Sequence, residues 1–219
     1  MKTSIISGPI FVDDALFGIG LSYGLTSDML CDAAFRKSPV YKQLVAVSKK
    51  LAHMHGGHNK FLETITLTLD VKAPRFWWQE FDTYRVGVTK QRESTIHTIM
   101  AREIEPEDFE GGMYTDFLDE LNAIRATYLD TKDEAYKQTC FNDMKSALPE
   151  GYLQRRIVCL NLKTLQNIYH QRKNHKLPQW HIFFKDIAES LKDSPYAELV
   201  LWYVFGDDCV LDECPTAHF

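Results

Sequence analysis

From Thr64 to Val71 apolar and polar residues alternate without a break, with Ile65, Leu67, Leu69 and Val71 on one side and Thr64, Thr66, Thr68 and Asp70 on the other. Successive strand side chains point to opposite faces, so this period predicts a half-buried strand. A second, shorter strand is expected over Arg156–Leu160, where the chain reads RIVCL. Elsewhere the apolar positions recur at intervals of three and four, the period of a helix with one buried stripe. Ser38-Pro39 opens such a stretch, Val40, Leu44, Val47 and Leu51 share a face, and Gly56-Gly57 stops it. After Pro74 an aromatic segment, RFWWQEFDTYR, sets Trp77, Phe81 and Tyr84 or Arg85 on one helical face ahead of Gly87. Further helices are expected over 113–130, 133–147, 162–173 and 178–192, followed by an apolar run at 196–205 closed by Gly206. Strands early and helices late describe an α+β fold rather than a βαβ alternation.

At 219 residues the chain suits one domain spanning 1–219, and its 45% apolar and 25% charged residues exclude intrinsic disorder. No apolar window reaches the roughly 18 residues of a membrane span, and Asp13 and Asp14 interrupt the N-terminal stretch. A soluble cytoplasmic protein is expected. Cysteines at 31, 140, 159, 209 and 214 are odd in number and dispersed, which fits a reducing compartment. The formal charge of -5 argues against a nucleic-acid coat. It conceals a gradient, from the acidic stretch Glu103–Glu120 to a basic one holding Arg155, Arg156, Lys163, Arg172, Lys173 and Lys176, where a local anion site is expected.

Phosphate-loop, dinucleotide-binding and GxSxG signatures are absent. His53, His55 and His58 offer imidazoles where a helix ends, but their spacing does not match a zinc-binding helix face, and Cys209, Cys214 and His218 form only a lone CxxxxC tail. No metal is expected. Asn161 and Asn167 are six residues apart around a helix start, so the first can cap the helix while the second faces a ligand. Arg172 at the end of that helix is favoured by the helix dipole even without a ligand.

The stretch HGGHNKFLETITLTLDVKAPRFWWQEFDTYR (55–85), with Val71-Lys72-Ala73-Pro74 at its centre, and the stretch ALPEGYLQRRIVCLNLKTLQNIYHQRKNHKLPQWHIFFKDIAESL (147–191) together resemble the flavin-dependent thymidylate synthases. The resemblance implies a central, mostly antiparallel sheet with flanking helices. It implies reductive methylation of dUMP to dTMP with FAD as cofactor, methylenetetrahydrofolate as one-carbon donor and NADPH as reductant, on a homotetramer. Residue by residue it implies flavin contacts from His58, Arg85, Asn161 and Asn167, with Tyr84 standing where the family has a histidine. Glu80 stands where a glutamine approaches the nucleotide, Ser94 aligns if one residue is inserted, and Lys145 falls on an arginine that binds the dUMP phosphate. Arg172 falls on the arginine set against the pyrimidine, where a guanidinium fork matches developing negative charge on the ring and acts as the catalytic electrophile.

The chain also departs from the family pattern. Thr83 and Tyr84 replace an arginine and a histidine, Glu80 puts a carboxylate near a phosphate unless Arg75, Arg92 or Lys90 pairs with it, and the last motif arginine becomes Ile96 or Thr95. Three functions therefore stand side by side: thymidylate synthesis, a related pyrimidine-nucleotide modification such as hydroxymethylation, and a non-catalytic scaffold that has lost its flavin. The rings of Trp77 and Phe81 are expected in the core, whereas Tyr84 suits either core packing or flavin stacking.

Overall fold

The computed structural model describes residues 1–26 and 35–208. Four strands, β1 (Lys2–Ile10), β2 (Thr66–Pro74), β3 (Val88–Arg92) and β4 (Leu153–Asn161), form one antiparallel sheet in the order β1-β2-β4-β3. The α+β architecture expected from the pattern is the observed one. Ile65, Leu67, Leu69, Val71 and Ala73 have no exposed surface, so the alternation that announced β2 is the alternation between core and solvent. Burying each of the four larger side chains contributes roughly 1.5–3 kcal/mol. The strand itself begins two residues later than the pattern and continues to Pro74, because Lys72 keeps the exposed position of the same period.

The chain forms two compact units, one of Met1, Val71–Tyr84 and Gln91–Arg156, the other of Lys2–Asp70, Arg85–Lys90 and Ile157–Phe219. In the first, helix α3 (Arg75–Phe81) follows β2 directly, and α4 (Thr115–Asp130) and α5 (Glu134–Ala147) pack as an antiparallel pair. Their core gathers Leu118, Leu121, Met144 and Leu148 with Ile99, Met100, Ile104 and Phe109. The acidic stretch between β3 and α4 is ordered by pairing: Arg102 bonds both oxygens of buried Asp108, and Glu110 takes the N-terminal ammonium at 2.5 Å.

The second unit holds α1 (Val12–Gly20), α2 (Pro39–Ala52), α6 (Leu162–Arg172), α7 (Gln179–Leu191) and α8 (Ala197–Phe205). Helix α7 packs on β1, and Thr3 N–H donates to Asp186 at 2.6 Å. Ser38 caps α2 by accepting from Tyr41 N–H, a contact worth about 1 kcal/mol. Helix α2 ends at Ala52, four residues before the glycine pair expected to stop it. Its buried face is Leu44, Ser48 and Ala52, while Val40 is exposed. That rotation lets Ser48 receive the Tyr203 hydroxyl at 2.6 Å. Strands β1 and β3 and helix α1 have no clean period in sequence. Of the nine residues of β1 only Thr3 and Pro9 are buried, which erases the alternation that identified β2.

Candidate functional site

In the first unit, Pro74 closes β2 in extended geometry and α3 begins at once, which sets three buried rings on a single short helix. Trp77 and Phe81 stack at 5.0 Å with no exposed surface and belong to the core, as expected. Trp78 does something else. Its indole N–H donates to Gln154 O at 3.0 Å, and its ring supports the Arg156 guanidinium at 4.2 Å. Arg156 is 8% exposed, bonds both oxygens of Asp82 at 2.9 Å and reaches Gln154 Oε1 at 3.3 Å. A buried guanidinium needs such partners, because desolvating it unpaired costs several kcal/mol.

This wall lines a cavity of 580 Å³.

 A separate cavity in the second unit measures 740 Å³. Both fall in the range of sites for small ligands. Four cations line the 580 Å³ cavity, Arg75, Arg92, Lys145 and Arg156, against two carboxylates, Asp82 and Glu93, with the hydroxyls of Ser94 and Thr95 beside them. Lys145 comes from the last turn of α5 and donates to Thr95 Oγ1. Burial, with Arg75 and Arg92 nearby, holds its ammonium below the ordinary lysine value. Crowded cations of this kind favour an anion, and a phosphate would relieve the repulsion while accepting from the hydroxyls.

The structure thus brings Ser94 and Lys145, fifty-one positions apart, onto one cavity. In the sequence, Arg75 and Arg92 stand out only as partners for Glu80. Arg75 instead bonds Leu148 O at 2.7 Å and pairs with Glu150 at 3.4 Å. Glu80 and Tyr84 are half-buried and do not line the cavity; Tyr84 meets Phe81 edge-on at 6.1 Å. Arg156 was read as part of a basic run, with no hint of burial, since its partner Asp82 is 74 positions away.

In the second unit, the turn after α2 carries Gly56 and Gly57 at positive φ and then His58, which lines the cavity of 740 Å³. Lys60 adds a second basic group, Tyr23 and Phe61 add rings, and Asp14 and Glu63 add carboxylates. Basic groups for phosphates, rings for a planar system and carboxylates for ribose hydroxyls form a donor set that fits a flavin dinucleotide.

Asn161 caps α6, its Oδ1 accepting from Thr164 N–H at 2.9 Å. Its own N–H donates to Gly87 O at 3.2 Å, which ties the segment holding Arg85 to the start of α6. Arg85 and Asn161 are therefore joined through Gly87. Asn167 is exposed on the same helix. Arg172 is half-buried at the end of α6, its guanidinium 5.1 Å from the Trp180 ring centre.

Between these positions lies Gln166, which no pattern in the sequence marks. Its buried amide donates to Ala52 O at 2.9 Å and Tyr203 O at 2.6 Å, and its Oε1 accepts from Asn59 at 3.3 Å. His53 bonds Trp202 O at 2.8 Å through Nε2. Among the described residues no group of three or more His, Cys, Asp and Glu is gathered for a metal ion, and Cys209, Cys214 and His218 lie outside them. The basic run is not one anion site: Arg156 pairs with Asp82, Lys163 with Glu63 and Lys173 with Asp208. No helix among the described residues is long and apolar enough to cross a membrane.

An antiparallel α+β scaffold with a cation-lined cavity suits a phosphorylated ligand. The family model for thymidylate synthase complementing protein matches residues 28–193, and the chain belongs to that family. Its fold is similar to that of the flavin-dependent thymidylate synthase ThyX from Helicobacter pylori complexed with FAD and dUMP. The TM-score is 0.60 at 18% identity, over 91% of this chain and 98% of that one. A second Helicobacter pylori ThyX structure, with FAD and dUMP, gives a TM-score of 0.58 at 16% identity, over 94% of this chain and 100% of that one. No curated protein matches the chain.

Proposed function

We propose that the protein is a flavin-dependent thymidylate synthase that converts dUMP to dTMP with FAD, methylenetetrahydrofolate and NADPH. The observation that carries this reading is the convergence of Ser94 and Lys145 with Arg75 and Arg92 on one cavity, a match for the phosphate of a nucleotide. In this reading the Lys145 ammonium and the Ser94 hydroxyl hold the phosphate, and Glu80 stands where it approaches the nucleotide from outside the cavity lining. His58, Tyr84, Arg85, Asn161 and Asn167 bind the flavin. Arg172 polarises the pyrimidine, its planar fork donating to ring oxygens as negative charge develops there. Bound FAD supplies hydride transfer, which no side chain provides. The exposed Ile6, Ile10 and Phe11 support self-association, read as a cytoplasmic homotetramer.

The test is the visible spectrum of the purified protein with added FAD, titrated with dUMP, followed by tritium release from C5 of labelled dUMP. A flavin band perturbed by dUMP, with release, is the expected result. Colourless protein without FAD affinity would return the reading to a scaffold. The carboxylates Asp82 and Glu93 on the same cavity favour, as a second reading, a different pyrimidine nucleotide or a hydroxymethylated product. Product mass separates the two.

A further inference from the structure

We infer that Thr164 is a positioning residue that registers Arg85 against Asn161, through a lock closed on Gly87, and thereby sets the affinity for flavin. The inference rests on the proposed reading of Arg85 and Asn161 as flavin-binding residues. Arg85 to Gly87 lies outside helix and strand, and Val86 is 87% exposed, so packing of its side chain does not hold the segment in place. Hydrogen bonds to the start of α6 do. Asn161 N–H donates to Gly87 O at 3.2 Å, and the Thr164 hydroxyl donates to Val86 O at 3.1 Å.

Thr164 also donates its backbone N–H to Asn161 Oδ1 at 2.9 Å. One residue therefore fixes both partners: its amide orients the Asn161 side chain, and its hydroxyl holds the carbonyl that follows Arg85. With Oδ1 committed to the cap, the Asn161 amide nitrogen is left as a donor. A fixed amide donor and a guanidinium are suited to an acceptor-rich ligand such as the carbonyl edge or phosphates of a flavin.

The close approach requires glycine at 87. Its φ is +68°, and a Cβ there would stand 2.4 Å from Thr164 Oγ1 and 2.6 Å from Asn161 Nδ2. These distances are too short for any side chain, so the lock is a matched pair of one small residue and one hydroxyl.

The experiment compares FAD binding by wild-type, Thr164→Val and Thr164→Ser proteins, read from quenching of flavin fluorescence and from the spectrum of the bound flavin. Thr164→Val keeps the backbone N–H that completes the helix cap and removes only the bond to Val86 O. It is expected to weaken FAD binding about five- to tenfold, the cost of one hydrogen bond, and to shift the bound spectrum. Thr164→Ser, which restores the hydroxyl, is expected to restore both. Thr164→Val that binds FAD as tightly as wild type, with the same spectrum, overturns this inference alone. Wild-type protein that takes up no FAD overturns the flavin reading, and the inference with it.

Discussion

The cation-lined cavity of the first unit and the Arg85–Asn161 junction of the second are built from different materials. The first is made of charged side chains that need one another: Arg156 depends on Asp82 and Trp78, Arg75 on Glu150, and Lys145 sits among like charges. The second is made of backbone groups and amides, with Gly87, Asn161 and Thr164 meeting through carbonyls and N–H groups. A charged wall can bind an anion strongly, but it is sensitive to pH and to loss of any member. A junction of neutral groups holds geometry over a wide pH range and offers little charge of its own. The two regions are thus suited to different tasks, attraction in one and registration in the other.

The strongest test of this contrast is Arg172→Ala. Removing a donor aimed at developing charge is expected to lower turnover about 10²- to 10³-fold. The contact of Arg172 with Trp180 contributes about 1 kcal/mol to stability. Normal turnover in steady-state assays would remove its catalytic role. Next is Gln166→Leu, which strands the carbonyls of Ala52 and Tyr203 and is expected to cost about 3 kcal/mol in urea unfolding. A loss below 1 kcal/mol would mean that water replaces the amide.

In the other unit, Arg156→Ala is expected to cost about 2 kcal/mol, less than the 3–5 kcal/mol of a fully buried pair, because the Asp82 side chain is 45% exposed. An unchanged unfolding midpoint would show that the pair contributes nothing net. Smallest in energy is Lys145→Ala, expected to weaken dUMP binding about tenfold while leaving FAD binding unchanged, as measured by calorimetry. Equal losses of both would make Lys145 structural.

The same residue carries a pH dependence with a definite sign. The depressed lysine value means that the ammonium loses its proton at lower pH than a free lysine, so dUMP affinity should fall as pH rises toward 10.5. Lys145→Arg, which stays charged, should flatten that alkaline decline. Binding that declines equally in both proteins would assign the effect to another group.

Much of the fold was legible because burial repeats with the period of the backbone. Strand β2 and helices α4 to α7 each bury one set of positions on one face, α8 shows as a continuous apolar run buried on most sides, and the pattern marks them to within a few residues. Strand β1 was illegible because so little of it is buried, and the end of α2 was misjudged because the helix stops before its glycines. Among site residues, Asn161 as a helix cap could be read from local chemistry. Arg156 and Gln166 could not, since what makes them important is burial against partners 74 to 114 positions away.

The sequence by itself determined the α+β class, a strand in the alternating stretch at 64–71, the core placement of Trp77 and Phe81, and the residues through which the family resemblance runs. Those features depend on local periodicity and on residue identity, which are present in the unfolded chain. Only the tertiary structure decided that Ser94 and Lys145 share a cavity, that Arg156 is a buried wall rather than a free cation, and that Gly87 ties Arg85 to Asn161. Each of these depends on which distant groups lose water together, and the chain's linear order carries no record of that.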